Sequence, residues 1–324
     1  MKLSGKKVYV LGGAGFIGSH LVERLLQGGA RVTVVDNLVR GSLDKLDSVS
    51  GHYSFQNIDL EHTVPDLSDA DVVYNLAAKI SNIRYNMGHH LDMMQRNLGI
   101  NWNVAEAIAH AKHLQLYAMV STVCVYPHDA PVPTTEAAGA VCNPEPTNFG
   151  YGIAKWVAEQ QAKFLHDECG VPTLIVRFAN AFGLRDYYDD ESSHVVPALI
   201  KRILSGEDPL VIWGTGNQTR SLIDARDIAD ALFRLGECED AHNAQAVNIG
   251  HDREVSIKEM ARLIMQIVDV YPEMQFDLTQ PDGHSRRAFD TTRLKSLIHW
   301  EPEIPFAQTV REMIVEYQSM LEVA

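Results

Sequence analysis

The chain has 324 residues, 46% of them hydrophobic and 22% charged, with a formal net charge of −14. That balance is of a globular protein long enough for one large domain or two ordinary ones. Without a basic run to offset the negative charge, recognition of DNA or RNA through its phosphates is excluded, so any phosphate ligand must be held locally.

Lys7–Leu11 reads as a short strand, Gly12-Gly13-Ala14-Gly15-Phe16-Ile17-Gly18 as a glycine turn, and Ser19 to Leu26 as a helix by its apolar spacing. Strand, glycine turn and helix form a phosphate-binding start: the glycines let the backbone approach, and the helix N-terminus offers free N–H groups to a pyrophosphate. Gly12, Gly15, Phe16, Ile17 and Gly18 are therefore candidate dinucleotide contacts. A second strand, Arg31–Val35, ends in Asp36, 18 residues after Gly18, near the spacing of about 20 for an acid on the adenosine ribose. A carboxylate there accepts from the ribose hydroxyls and repels a 2′-phosphate, which predicts NAD over NADP, with Asn37 beside it. Arg40 reads as a solvated loop charge or as a partner for such a phosphate.

Strand-like runs at Phe55–Ile58, Ala70–Leu76 and Leu116–Val120 alternate with helical ones, the longest from about Met93 to His113. Such alternation predicts right-handed crossovers and a parallel sheet covered on both faces, with ligands at the carboxyl ends of the strands. Asp59 and Leu60, Leu76-Ala77-Ala78, Thr122, and Asn97 on the long helix are candidates there, although Asp59 reads equally as a helix N-cap.

Ser121-Thr122-Val123-Cys124-Val125-Tyr126-Pro127 follows the strand at 116–120, and Tyr151-Gly152-Ile153-Ala154-Lys155 comes next. Tyr151 and Lys155 are one helical turn apart and share a face. A neighbouring ammonium favours the ionised phenol, so Tyr151 is expected to take the proton of an alcohol being oxidised. Cys124 reads as a small apolar residue ending a buried strand or as a carbon base, and His194 as a helix-cap residue or as its acid partner. The acidic stretch Arg185–Ser193 marks the exit from the cofactor region. Trp213 reads as core or as a stacking platform, and Arg220 as a surface charge or a fork on a diphosphate. The four cysteines, at 124, 142, 169 and 238, show no C-x-x-C spacing, which predicts free thiols and no metal site. Val8–Leu11 is too short for a signal-peptide core, and no stretch approaches the roughly 18 apolar residues of a membrane span. A cytoplasmic location is expected.

Gly12-x-x-Gly15-x-x-Gly18, Asp36, Leu76-Ala77-Ala78, Ser121-Thr122, Tyr151-x-x-x-Lys155 and Arg177-Phe178-Ala179-Asn180 occur in the order of the extended short-chain dehydrogenases/reductases, which the chain resembles over nearly its whole length. Cys124-Val125-Tyr126-Pro127, Glu145-Pro146-Thr147-Asn148, Ser193-His194-Val195-Val196-Pro197 and Pro281–Arg287 are similar to the branch of GDP-L-fucose synthases and GDP-mannose 3,5-epimerases. The chain departs from the fucose synthases in having an acid at Asp36, and from the 3,5-epimerases in having His194 where they carry Lys.

The resemblance implies a Rossmann-type doubly wound α/β fold with a smaller C-terminal α/β substrate domain. Residues 1–181, with about 223–250 returning, would bind NAD; about 182–222 and 251–324 would bind a nucleoside-diphosphate sugar. It assigns Thr122, Tyr151 and Lys155 to the redox centre and Cys124 and His194 to acid/base work. Asn180, Val195, Arg202, Trp213, Arg220 and Arg287 would meet the substrate. From about Ile257 the chain is expected to be helical until a turn at Pro281-Asp282-Gly283. A homodimer through the helices near 93–113 and 151–168 is also implied. The activity implied is epimerisation through a transient 4-keto hexose, on a GDP-hexose with inversion at C3 and C5. An epimerase-reductase, a UDP-hexose 4-epimerase and a nucleotide sensor without chemistry are the alternatives.

Overall fold

The structure, a computed structural model, describes residues 1–323 except 82, 179, 190–192 and 280–284, so the turn expected at 281–283 lies outside the described residues. In chain order the elements begin with β1 (Lys7–Leu11), α1 (Phe16–Gln27), β2 (Arg31–Asp36), β3 (Tyr53–Asn57) and β4 (Val72–Asn75). Next come α2 (Ile83–Gly88), α3 (His90–His110), β5 (Leu116–Val120), α4 (Phe149–Cys169), β6 (Thr173–Phe178) and β7 (Asn180–Phe182). Then follow α5 (Val195–Leu204), β8 (Leu210–Trp213), β9 (Thr219–Asp224), α6 (Ala225–Glu237) and β10 (Asn243–Ile249). The last are β11 (Glu254–Ser256), α7 (Ile257–Val268), β12 (Met274–Asp277), β13 (Arg286–Arg287), α8 (Thr292–Ile298) and α9 (Phe306–Val323).

Seven strands form one parallel sheet in the order β10-β6-β5-β4-β1-β2-β3. Side chains alternate across it. Val8 and Val10 pack with Leu21 and Leu25 of α1 and Ile228 and Leu232 of α6. Tyr9 and Leu11 pack on the other face with Val104 and Ile108 of α3 and Ala158 and Ala162 of α4. Burial on both faces is why these strands are continuous apolar runs in sequence rather than alternating ones. The chain order reverses between β1 and β4, and there the carboxyl ends of the strands open a crevice. Among the described residues no helix is long and apolar enough to cross a membrane.

The smaller layer joins β11, β9, β13 and β7, and pairs β12 with β8. Phe182, Val196, Ile200, Met260 and Met313 form its core with α5, α7 and α9. Two features differ from the sequence expectation. The region from Ile257 to the expected turn is not helical throughout, because β12 pairs with β8 over a long separation that local periodicity cannot report; β13, beyond the turn, pairs with β9. Nor does all of 251–324 lie with the smaller layer: Phe289, Leu294 and Trp300 pack into the core of the large sheet.

Candidate active site

The cofactor end is built from the first three strands. Gly12 has φ +77°, and a Cβ on it would lie 2.9 Å from the Ala77 amide; a Cβ on Gly18 would strike the Gly12 carbonyl. Only glycine permits this fold-back, which sets α1 against the turn. Gly15 caps α1 without a side-chain acceptor, and the first turn beginning at Phe16 and Ile17 holds no acid. Its amides and the positive end of the helix dipole are thus offered to an anion. Asp36 stands at the carboxyl end of β2, its oxygens accepting from the amides of Ala14 (3.1 Å) and Leu38 (2.9 Å). Burial pushes its carboxyl up from the usual range, and those amides oppose the shift. These residues fit a dinucleotide.

The neighbouring candidates act mostly through the backbone. Asn37 accepts from the Val39 amide and Asp59 from the Glu61 amide (3.0 Å), so Asp59 holds a turn and caps no helix. Leu60 is buried in the core facing α3. Asn97 accepts from the Lys79 amide (3.1 Å) and donates to the Lys79 carbonyl (3.0 Å). It fixes the strand-end loop that carries Leu76, Ala77 and Ala78. Arg40 donates to the Ile80 carbonyl (2.8 Å) and lies 4.2 Å over the Tyr187 ring; Lys45 lies 4.3 Å over the same ring. The Tyr187 phenol, which burial pushes up to about 12, takes a hydrogen bond from the Phe16 amide. Tyr187 therefore sits at the start of α1, a position that sequence gave no reason to expect.

The reacting end lies where β5 stops. Thr122 caps a single 3-10 turn, its Oγ1 accepting from the Cys124 amide at 3.2 Å, so hydroxyl and thiol share one rigid corner. Across from it α4 brings Tyr151, half-buried and hydrogen-bonded to the Thr122 side chain. A Cβ on Gly152 would lie 2.6 Å from the Cys124 carbonyl and 2.5 Å from Pro144 Cβ, so glycine allows the helix to come this close. Burial, followed by the nearby Cys124, drives the Tyr151 phenol well above its usual value, against the Thr122 bond and the Arg40 charge. Lys155 does not hold the phenol ionised in this arrangement, as the spacing predicted. Its ammonium is buried and donates to the Val120 carbonyl at 2.9 Å, and burial pushes it down to about 8 while Glu159 opposes.

On the substrate side, Arg220 and Arg287 are register partners of β9 and β13, which puts two guanidinium groups on one sheet face. Arg220 donates to the Thr219 carbonyl (2.7 Å). Arg287 pairs with the buried Glu145 and lies close enough to Cys124 to feel its charge. Trp213 is 41% exposed at the end of β8, which rules out the core reading. Asn180 donates to the Ser221 carbonyl (3.2 Å), and Val195 opens α5. Arg202 is paired in this structure: Glu207, five residues on, takes its Nε at 2.7 Å, and the Val211 carbonyl takes Nη2. His194 precedes α5 with its ring 6.2 Å from Phe16 and Nδ1 3.1 Å from both oxygens of Asp186. Cys124 is grouped with Thr122, Tyr151 and Arg287, and His194 with Asp186 and Phe16; the Arg40 charge reaches both Tyr151 and His194.

Residues 8–250 match the model of the NAD dependent epimerase/dehydratase family. The chain belongs to that family. It is an enzyme, and its cofactor is NAD. It is 30% identical over 302 residues to GDP-L-fucose synthase 1 of Arabidopsis thaliana, covering 92% of this chain and 88% of that one. It is 31% identical over 317 residues to UDP-glucuronic acid decarboxylase 1 of Xenopus tropicalis, covering 98% and 73%. Among solved structures, the UDP-glucose 4-epimerase of Thermotoga maritima with UDP-glucose superposes with a TM-score of 0.86 at 25% identity, covering 97% of this chain and 99% of that one.

Four residues of this epimerase/dehydratase-family enzyme escaped sequence reasoning. Glu159, fully buried, takes hydrogen bonds from Ser121 Oγ (2.5 Å) and Arg177 Nε (2.8 Å), tying β5 and β6 to α4 beneath the reacting corner. Its signal was present, since it repeats the four-residue spacing of Tyr151 and Lys155. Asp186 and Tyr187 carried no local signal, because each is defined by a partner from another element, and Glu145, though within a stretch that carried the resemblance, gave no hint of its Arg287 partner.

Proposed function

We propose that the enzyme epimerises a nucleoside-diphosphate hexose, GDP-linked, at C3 and C5 through a transient 4-ketone. The observation that carries this reading is the single rigid corner holding Cys124 beside Thr122 and Tyr151. The Gly12–Gly18 turn and Asp36 would hold NAD, which when bound would supply reversible hydride chemistry at C4. Tyr151 would accept the proton of the C4 hydroxyl as the phenolate, with Thr122 orienting the oxygen by its hydrogen bond. That form would be favoured, against the burial that raises the phenol, by the positive charge of an oxidised nicotinamide bound beside it. The resulting ketone acidifies the hydrogens on C3 and C5, where Cys124 removes a proton on one ring face and His194 supplies one on the other. Thr122 and protonated Tyr151 donate to the enolate oxygen. Arg220 and Arg287 engage the diphosphate, Trp213 stacks on a flat ring, and Asn180 and Val195 line the sugar. The relatedness to GDP-L-fucose synthases supports the GDP-linked substrate, and the four free cysteines fit a reducing cytoplasm.

Incubation with GDP- and UDP-hexoses in deuterated water tests this. Deuterium at C3 or C5 is expected, and it should vanish in Cys124→Ser. Inversion at C4 without label would replace the reading with hydride chemistry alone on a UDP-hexose, which the relatedness to UDP-sugar enzymes favours. Net oxidation of added reduced cofactor would point to an epimerase-reductase. Tyr151→Phe should lower turnover by roughly 10²–10⁴-fold with bound dinucleotide retained; unchanged turnover would remove Tyr151 from the chemistry.

The enzyme is further proposed to be a homodimer through α3 and α4. Leu91 (63% exposed), Trp102 (66%) and Phe164 (58%) stand on these helices with half-buried Met94, Leu98 and Ile153. An apolar face of this kind on two packed helices suits a second copy.

A further inference from the structure

His194 carries a proton in the proposed cycle, and the residue that prepares it lies eight positions upstream. Asp186 has a fully buried side chain, and its two oxygens stand 3.1 Å from His194 Nδ1. It is anchored before the histidine reaches it, because Oδ1 also accepts the Tyr187 amide at 2.8 Å. The imidazole is 43% exposed and rests against Phe16, at the mouth of the cofactor crevice. We propose that Asp186 is a positioning residue: by accepting Nδ1–H it fixes the tautomer and ring orientation of His194 and leaves Nε2 as the nitrogen that exchanges a proton with the sugar carbon. This rests on the assignment of His194 as acid/base and extends it to a residue that does not touch substrate.

The electrostatics agree with the geometry. Burial by itself would lower the imidazole; the Asp186 charge and hydrogen bond outweigh it, Asp189 adds to them, Arg40 opposes, and the group is held above its usual value. The charged groups around the pair come from three elements: Asp186 and Asp189 on the segment before α5, Arg40 after β2, and Lys45, whose ammonium lies near Asp186. Asp186 is hydrogen-bonded to the ring through both oxygens. The pair therefore favours the imidazolium more than a free histidine would, which suits a group that must arrive with a proton to give.

The test is a pH titration of the histidines in full-length holoenzyme labelled with ¹⁵N-histidine, comparing wild type with Asp186→Asn and Asp186→Glu. In wild type the resonance lost in His194→Asn should titrate above free histidine with the proton of the neutral form on Nδ1. In Asp186→Asn it should titrate lower, and Asp186→Glu should restore part of the shift; the other histidines report that the fold is intact. The rate of deuterium entry into the sugar should fall roughly tenfold or more in Asp186→Asn, with its pH profile moved in the same direction as the resonance. An unmoved His194 titration in Asp186→Asn would overturn the proposal. A moved titration with an unmoved exchange profile would instead overturn the acid/base assignment of His194 on which it rests.

Discussion

Lys155 shows how one buried ammonium links protonation to folding. Its folded value, about 8, lies below the 10.4 or so of an unfolded lysine, because burial disfavours the charge more than Glu159 restores it. Between those values the unfolded chain binds more protons than the folded one, so stability rises with pH across the window. Urea midpoints of the cofactor-free enzyme should accordingly climb from about pH 8 to about pH 10, and Lys155→Met should flatten that climb. Equal climbs in both proteins would mean that the ammonium is not buried as described. At this scale the sequence was legible in placement rather than in job: Asp36 does fall at the end of a strand, and Tyr151 and Lys155 do lie one turn apart on a helix. It was silent on what each would touch. Lys155 met the Val120 carbonyl, Arg202 met Glu207, and Arg287 met Glu145, since a side chain's nearest partner depends on elements far away in the chain.

Elements were legible for a related reason. Strands buried on both faces, such as Val72–Asn75, are short apolar runs, and the helices between them keep their own period, so each element could be placed from its neighbours. The two-residue β13 and four-residue β12 could not, because their pairing with β9 and β8 is what makes them strands. The strand–turn–helix unit at the N-terminus is the most demanding of these elements. Its geometry depends on Gly18 lying against the Gly12 carbonyl. Gly18→Ala should push α1 off the turn and weaken dinucleotide binding tenfold or more, about 1.4 kcal/mol or above. Dinucleotide released by acid from the purified protein would measure it, and a wild-type content in a folded variant would show that the fold-back is not what holds the pyrophosphate.

At the scale of the whole molecule the two layers divide the work. The parallel sheet and its helices supply Asp36 and Thr122 from two strand ends and Tyr151 and Lys155 from one helix, while Trp213, Arg220 and Arg287 come from the smaller sheets. Cys124 and Arg287 come from different layers yet lie within reach of each other's charge, which brings the proposed carbon base and the proposed diphosphate ligand together in the crevice between the layers. The apolar stripe on α3 and α4 belongs to this scale too. If it joins two copies, sedimentation should show a dimer at micromolar concentration, and Trp102→Glu should give monomers by placing a charge in the apolar contact. A monomeric wild type would remove the stripe as an interface.

One helix connects these scales. α4 turns Tyr151, Gly152, Lys155 and Glu159 inward, and the same rigid rod carries Phe164 on its outer side. Whatever steadies the outside also steadies the corner of Thr122, Cys124 and Tyr151 that is proposed to move the proton. If the stripe on α3 and α4 joins two copies, specific activity should therefore depend on protein concentration, declining on dilution toward the dissociation constant of the pair and recovering on reconcentration, although no residue of the second copy need enter the crevice.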